Sequence, residues 1–451
     1  MREYSFAGTQ SDASGSRSEN DLPALPCGLQ SANIFWSCNP TSGFQHRSVV
    51  PHNFPVVFDR PHREFQKESF LMEFLKKVGS LNLLLILIPV ALFLHWTNGS
   101  EVAIFFVSGF AIIPLAGLMG KSTEILSEKL GPGIGGLLNA SFGNAAELIL
   151  AIVALKAGMV EMVRASITGS ILGNILLVLG AAFFVGGLQH EKQKFNATAA
   201  GMAATMLALG AIGLLIPALF HAYLKIYHLE GAEKDLSFEI SVVLFTTYLL
   251  MLLFSLKTHK HLYGGPSQEE DSEADSHLGD SYSRKSVLAT GNFWNVKSAI
   301  AVLIVSTIAI AWMSEILVGA VEVASHEMGW TEIFVGVVVI AIVGNAAEHS
   351  TALLAAWKDN VDLGFHIAVG SGMQIALFVA PLLVFLSYFG VFPEQLSLVF
   401  NLFEVSAIVI SVMIVGLVAY DGESNWLEGL LLLAVYLILA IAFYHLPVAA
   451  H

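Results

Sequence analysis

Residues 141–156 read SFGNAAELILAIVALK, and residues 342–357 read IVGNAAEHSTALLAAW. Each stretch carries the box Gly-Asn-Ala-Ala-Glu inside an apolar run, and the two boxes start 344 − 143 = 201 residues apart. A Gly-Ser pair follows each box, at positions 169–170 and 370–371, and these two pairs are also 201 residues apart. A box segment and a Gly-Ser segment are therefore written twice in the same order, which predicts a chain built from two related halves.

The composition is that of a membrane protein. Of the 451 residues, 55% are hydrophobic and only 13% are charged, and the mean hydropathy is +0.69. A soluble domain carries about 25% charged residues. Apolar runs of about 20 residues, long enough to cross a bilayer, follow one another from Leu81 onward. The net charge of −14 and the lack of a basic stripe argue against nucleic acid binding. We therefore expect an all-α polytopic protein whose partner is the lipid bilayer.

The apolar runs predict about eleven transmembrane helices. They lie at about 81–97, 101–120, 132–157, 161–187, 197–224, 237–257, 297–320, 331–357, 363–388, 396–419 and 425–447. The pattern divides the chain into a disordered or dispensable tail (1–71), an extra first transmembrane helix (72–97), a first repeat (101–257), an acidic linker (258–296) and a second repeat (297–447).

The two five-helix repeats are predicted to be inverted relative to each other. Each contains five spans, and an odd number forces consecutive units to enter the membrane from opposite sides. Lys and Arg side chains near the span ends are more numerous on one side if the N-terminus is cytoplasmic, which predicts that orientation. The two boxes then approach each other from opposite membrane faces.

The boxes and the Gly-Ser segments carry the candidate metal site. Asn144 and Glu147 lie three residues apart and so share one helix face, as do Asn345 and Glu348. Four more oxygen- or amide-bearing side chains are predicted to line the cavity around them: Ser170, Asn174, Ser371 and Gln374. Carboxylate and amide oxygens are ligands that hard divalent cations such as Ca²⁺ prefer. The two Asn–Glu pairs are therefore predicted to hold such an ion at membrane depth.

Two facing carboxylates also predict competition between metal and protons. Their two negative charges balance one Ca²⁺, whereas without the ion the same desolvated, mutually repelling groups bind protons readily. Metal and protons then exclude each other, which is the minimum that cation/proton antiport requires. Ca²⁺ is the expected cargo, H⁺ the counter-ion, and no cofactor is expected.

Three further ionisable residues are candidates for a proton or ion path. Glu315 and Glu322 share one face of the predicted seventh span, where they either line an entry path or mark a solvated helix end. His349, directly after Glu348, is either a proton relay or a packed polar group. Glu404, near an end of the tenth span, is expected to snorkel to the surface.

Other classes of function fit the sequence less well. The chain has neither the local signatures of intramembrane proteases nor a P-loop, so an enzyme is not expected. A ring of oxygens also suits the selectivity filter of a cation channel, although channels more often build a pore from several identical subunits. Exchange of Na⁺ or K⁺ for Ca²⁺ is the nearer alternative within transport. The sequence leaves a homo-oligomer open.

Four stretches carry a resemblance to a known family. They are GPGIGGLLNASFGNAAELILAIVAL (131–155), ASITGSILGNILLVLG (165–180), VGNAAEHSTALL (343–354) and GSGMQIALFVAPLLV (370–384). In this order they resemble the Ca²⁺/H⁺ antiporter family of the cation/Ca²⁺ exchanger superfamily, over roughly residues 110–447. Bacterial and cyanobacterial members are more similar than plant vacuolar ones.

The resemblance implies a ten-helix exchanger core, preceded here by one extra helix, that exports cytosolic Ca²⁺ against incoming protons. It implies that Glu147 and Glu348 are the central ligands, binding Ca²⁺ or protons in turn, and that Asn144 and Asn345 assist through their amide oxygens. A bacterial-type plasma membrane is the favoured location, with a vacuolar or other organelle membrane as the alternative.

The two Gly-Ser segments differ in one respect. Asn174 follows Ser170 by four residues, whereas Gln374 follows Ser371 by three. The two amides therefore do not occupy equivalent positions on their helices. This offset predicts a site that is asymmetric in spite of the duplication.

Overall fold

The computed structural model describes residues 83–229, 233–259 and 295–447, and these are almost entirely helical. The predicted tail (1–71) and most of the predicted linker (258–296) lie outside the described residues. The boundaries proposed for these two regions therefore stay predictions.

The first half is a series of helices with one very short strand. The helices are α1 (Leu87–Trp96), α2 (Glu101–Phe142), α3 (Ala145–Lys156), α4 (Val160–Leu172), α5 (Leu179–Gln189), α6 (Ala197–Ile226) and α7 (Glu233–Leu253). The π-helical segment Gly173–Val178 joins α4 to α5, and Phe254–Thr258 extends α7. The strand β1 (Gln193–Lys194) lies between α5 and α6.

The second half repeats this order. Its helices are α8 (Val296–Met328), α9 (Glu332–Phe334), α10 (Ala341–Gly344), α11 (Ala346–Trp357), α12 (Val361–Gln374), α13 (Ala380–Ser387), α14 (Leu402–Val418) and α15 (Trp426–Tyr444). The π-helical segments Val335–Ile340 and Ile375–Val379 join α9 to α10 and α12 to α13. The strand β2 (Glu423–Ser424) pairs with β1 in antiparallel fashion and so links the two halves.

The number of apolar helices agrees with a multi-span membrane protein. Within the described residues, seven helices are long and apolar enough to cross a membrane, and an eighth span results if Glu332–Gly344 and Ala346–Trp357, bent by 60°, count as one. Two shorter apolar helices, Leu83–Trp96 and Leu402–Val418, fall at the predicted first and tenth spans. α3 lies within the predicted third span, so each of the eleven predicted spans contains a helix. The all-α, polytopic fold class is confirmed.

The predicted second and third spans meet at a bend rather than at a polar break. α2 has 42 residues and would be about 63 Å long if it were straight, about twice the thickness of the hydrocarbon core. The Ser127 hydroxyl donates to the Gly135 carbonyl at 2.8 Å, although eight residues of straight helix would separate the two by about 12 Å. α2 therefore turns back close to the Gly-Pro-Gly at 131–133, and its last turns re-enter the molecule as the start of the first box segment.

The connecting segments gather at two opposite ends of the helices. At one end, which we call the loop face, the segment 388–401 is attached to the start of α7, where Tyr388 Oη donates to the Lys234 carbonyl at 2.9 Å. At the other end, the strand face, β1 and β2 pair, and Gln193 Nε2 donates to the Ala356 carbonyl at 2.9 Å. Both faces thus join elements of one half to elements of the other.

The interface between the halves is formed by the segments that the sequence writes twice. α4, the Gly-Ser helix of the first half, packs against Val335–Ile340, which leads into the second box. The approach is so close that a Cβ on Gly169 would overlap the Val337 carbonyl oxygen. Across the interface, Gly143 of the first box lies next to Gln374 of the second Gly-Ser helix, α12. Each box segment therefore packs against the Gly-Ser helix of the opposite half.

Candidate ion-binding site

Both boxes interrupt a helix at their asparagine. Asn144 has φ −107° and ψ 30° and separates α2 from α3, and Asn345 has φ −92° and ψ 7° and separates α10 from α11. In each case the asparagine is the residue before the new helix, and Glu147 or Glu348 lies in its first turn. The free backbone N–H groups and the dipole of a helix N-terminus favour negative charge there. The break thus places each carboxylate where the backbone helps to stabilise it.

A continuous chain of polar side chains crosses the interface between the halves. Asn144 Nδ2 donates to Gln374 Oε1 at 2.5 Å, and its Oδ1 accepts from the Ser371 hydroxyl at 2.8 Å. Asn174 Nδ2 donates both to Ser371 Oγ at 3.0 Å and to Asn345 Oδ1 at 2.8 Å. The structure therefore brings the amides and hydroxyls of the prediction into one network.

The network ends in the first half. Asn345 Nδ2 donates to Ser170 Oγ at 3.1 Å and to the Ala341 carbonyl at 2.9 Å. Of the six side chains, five are at most 5% exposed, and only Gln374 is partly exposed. Such a buried, well-connected network holds its members in fixed positions.

The two ends of this network are not equivalent. Asn144 donates to the amide Gln374 and accepts from a serine, whereas Asn345 accepts from the amide Asn174 and donates to a serine. The four-residue spacing in one Gly-Ser helix and the three-residue spacing in the other turn the two amides toward different neighbours. The network is asymmetric in the manner that the offset between the amides predicts.

The two box glutamates face each other across the interface. Glu147 is only 7% exposed and lies close enough to Glu348 for the two charges to repel each other. The glycine of the second box, Gly344, lies directly behind Glu147, because a Cβ there would be 3.4 Å from Glu147 Cγ. Glu348 in turn approaches Ser371 of the network. The predicted pair of carboxylates is thus assembled from opposite halves.

The glutamate, asparagine, glutamine and serine side chains gathered at the interface offer oxygen ligands. Within the described residues, no group of three or more His, Cys, Asp or Glu side chains is close enough to hold a metal ion. Two buried acceptors, Asn174 Oδ1 and Glu348 Oε2, have no hydrogen-bond partner in that part of the chain. A buried acceptor without a donor is costly, and a hard cation could satisfy both atoms. Together with the Glu147 carboxylate and the other oxygen of Glu348, they fit the all-oxygen coordination of Ca²⁺.

A cavity of about 850 Å³ leads to this network. Its wall is formed by α6, the end of α7 with its π-helical extension, α12 and Asn139 of α2, and includes Gly370 and Gln374. It extends to Ala197 in the first turn of α6, next to β1, and so reaches the strand face. Because Gln374 is hydrogen-bonded to Asn144, the inner end of the cavity touches the candidate site.

The predicted path residues occupy different environments. Glu315 lies on the outside of α8 with its side chain 59% exposed, 3.9 Å from Lys156 at the end of α3. Glu322 is also exposed, two turns further along the same helix. His349 is half-buried next to Glu348, and its Nε2 has no hydrogen-bond partner within the described residues. Their role in a path stays a prediction.

The expectation for Glu404 was wrong. Instead of snorkelling to the surface, Glu404 is only 2% exposed. Its carboxylate accepts from the Asn401 backbone N–H at 3.0 Å and from Thr168 Oγ1 at 3.3 Å, so it caps α14 and contacts α4. The Asn-x-x-Glu spacing is a capping-box pattern, and this signal could have predicted an inward-facing carboxylate.

The fold and the site together define a class of protein. Two inverted halves, helices broken at the interface and a pair of carboxylates at those breaks are the features of a secondary transporter. The model for the sodium/calcium exchanger protein family matches residues 100–257 and 298–445, that is, both halves. The chain belongs to this family and, within it, to the Ca²⁺/H⁺ antiporters.

Individual relatives support this assignment. A Ca²⁺/H⁺ antiporter of Synechocystis is 43% identical over 81% of this chain and 96% of its own length. A vacuolar calcium ion transporter of Schizosaccharomyces pombe is 38% identical over 81% of this chain and 85% of its own. The structure of native YfkE superimposes with a TM-score of 0.67 at 38% identity, covering 81% of this chain and all of YfkE. The higher identity to the cyanobacterial protein agrees with the resemblance to bacterial and cyanobacterial members.

Proposed function

We propose that the protein exchanges Ca²⁺ for H⁺ by alternating access, with Glu147 and Glu348 as the groups that bind one Ca²⁺ or protons in turn. The observation that carries the proposal is that the buried Glu147 and the half-buried Glu348 come from opposite halves and face each other. Relatives that are named Ca²⁺/H⁺ antiporters support protons, rather than Na⁺ or K⁺, as the counter-ion.

Charge balance accounts for the coupling. With Ca²⁺ bound, the two negative charges are compensated by the ion. When Ca²⁺ leaves, two unscreened carboxylates at this depth repel each other, and proton binding removes both charges. A site that changes sides only when it is neutral therefore carries either Ca²⁺ or protons, and never both. Asn144 and Asn345 support the site, either as amide ligands or by holding Ser371 and Ser170 in position.

The direction of transport follows from the predicted topology. With a cytoplasmic N-terminus, the strand face is cytoplasmic, so the cavity that reaches Gln374 gives Ca²⁺ access from the cytosol. On the opposite side, Glu315, Glu322 and the end of α3 would then form the exit route, with His349 as a proton relay next to Glu348. We propose export from the cytosol across a bacterial-type plasma membrane; a relative named as vacuolar makes an organelle membrane the alternative.

Everted vesicles with an imposed pH gradient test the proposal. We expect Ca²⁺ uptake that needs an acidic lumen and collapses when a protonophore is added. Uptake that survives the protonophore but needs a Na⁺ or K⁺ gradient would identify that ion, rather than the proton, as the counter-ion. Flux at channel rates that ignores all gradients would overturn the antiporter mechanism altogether.

A further inference from the structure

His366 is the one ionisable residue that lines the cavity leading to the candidate site within the described part of the chain. It lies on the same face of α12 as Gly370 and Gln374, because the three follow one another at steps of four residues and all line the cavity. Its imidazole is partly exposed, at 31% of the side chain. An ion that moves along this wall toward Gln374 therefore passes His366.

Within the described residues, His366 lies next to one charged side chain and one aromatic ring. The charged group that faces it is Asp362, one turn earlier, whose Oδ1 lies 3.8 Å from His366 Nε2. Asp362 is held in place because the same Oδ1 accepts the Asn196 backbone N–H at 2.7 Å. The imidazole also meets the Phe365 ring edge-on.

Other ionisable side chains lie on the strand face. On the strand face, Lys194 lies 3.8 Å from Glu423, and His190 lies 3.8 Å from Asp359. α6, α7 and the π-helical segment after α7 contribute uncharged side chains to the cavity wall, among them Thr198, Thr247 and Ser255. Among the described residues, Asp362 is the acidic side chain next to His366, so protonation of His366 changes the net charge of the cavity wall.

We propose that His366 controls the entry of cations into the cavity: neutral imidazole admits Ca²⁺, and protonated imidazole opposes it, with Asp362 orienting the ring. Histidine is the side chain that ordinarily changes charge between about pH 5 and 8. A positive charge on a mostly apolar wall repels a divalent cation more strongly than it would in water. The inference rests on the proposed function, because it concerns access to the same site.

The expected signature is an effect on apparent affinity rather than on maximal rate. Acidifying the cavity side should raise the KM for Ca²⁺, partly through the carboxylates at the site and partly through His366. At saturating Ca²⁺ the repulsion at the entrance is overcome, so the maximal rate should not depend on His366. A residue that merely supports the packing of α12 would instead lower the rate at every pH.

The test uses everted vesicles that contain the full chain, with the lumen held at one pH and the bath varied between about pH 5.5 and 8. For His366→Gln, we expect the wild-type KM at the alkaline end and a several-fold smaller rise on acidification. His366→Lys carries a permanent charge and should raise KM throughout. His228→Gln is the matched control, since His228 is exposed at the other end of α6 and should leave the profile unchanged.

A second variant keeps the inference falsifiable if His366→Gln does not fold. Asp362→Asn retains an oxygen for the Asn196 N–H but removes the charge that favours imidazolium, so the rise in KM should move to more acidic pH. A wild-type profile in both His366→Gln and Asp362→Asn would overturn the inference. That result differs from a failure of the proposed function, in which the wild-type protein itself would show no proton-driven uptake at any bath pH.

Discussion

At the scale of single residues, we expect that glutamine cannot replace either box glutamate in Ca²⁺ transport. Glu147→Gln and Glu348→Gln each preserve shape but remove one of the two charges that balance Ca²⁺ and one proton acceptor. We expect each substitution to reduce Ca²⁺ uptake in vesicles to background. Glu191→Gln, at an exposed position between α5 and β1, is the control and should retain activity. Near-normal uptake by either box variant would exclude that carboxylate from the exchange site.

The asymmetry of the polar network leads to a second residue-scale prediction. Ser371 both donates to Asn144 Oδ1 and accepts from Asn174 Nδ2, whereas Ser170 accepts from Asn345 Nδ2. Loss of Ser371 therefore leaves Asn144 Oδ1 without its donor and removes one of the two acceptors of Asn174 Nδ2. Loss of Ser170, in contrast, removes only one of the two acceptors of Asn345 Nδ2. Each buried polar group left unpaired costs about 1–3 kcal/mol.

We therefore expect Ser371→Ala to weaken Ca²⁺ affinity and lower the Tm more than Ser170→Ala does. The measurement is Ca²⁺ binding and thermal unfolding of both purified variants under the same conditions. Equal effects would indicate that the two serines are equivalent in solution and that the network is more symmetric than the structure has it.

At the scale of elements, the two Gly-Ser helices are alike in sequence but not in packing. A Cβ on Gly169 would overlap the Val337 carbonyl oxygen, whereas a Cβ on Gly370 would meet no atom within 4 Å. Overpacking of a close helix contact costs about 1–3 kcal/mol, or more where backbone must move. The same substitution in the two halves should therefore have different consequences.

Gly169→Ala is expected to lower the Tm of the purified protein clearly and to reduce transport, and Gly370→Ala to change neither by much. The two variants are matched controls for each other, because both exchange the glycine of a Gly-Ser pair for alanine on a helix. If Gly370→Ala were the more damaging of the two, the packing of α4 against Val335–Ile340 would not be the tighter contact.

The difference between Gly169 and Gly370 also separates the features of the fold that local sequence patterns predict from those that they do not. The repeated boxes, the three-residue Asn–Glu spacing and the apolar runs are local patterns, and they were sufficient to predict the helical fold and the residues that meet at the interface. The fold-back of α2, the burial of Glu404 against Thr168 and the open space at Gly370 depend on contacts between residues far apart in the chain. No local period encodes such contacts, which is why a duplicated sequence alone suggests more symmetry than the packing retains.

At the scale of the whole molecule, the inverted repeats predict where equivalent connections emerge. In the first half, the connection after α5 lies on the strand face with Lys194; in the second half, the connection after α13 lies on the loop face with Glu394. Both side chains are exposed. Two halves of parallel orientation would instead bring these corresponding connections to the same side of the membrane.

Single-cysteine labelling tests this arrangement directly. The natural cysteines, Cys27 and Cys38, both precede the first half and can be replaced. We then expect Lys194→Cys to react with a membrane-impermeant thiol reagent in everted vesicles only, because the strand face is predicted to be cytoplasmic. Glu394→Cys should react only in right-side-out vesicles, since the loop face lies across the bilayer. Labelling of both positions from the same side would contradict the inversion, whereas a clean exchange of the two sides would keep the inversion and reverse the predicted orientation, and with it the proposal that the cavity at Gln374 opens to the cytosol.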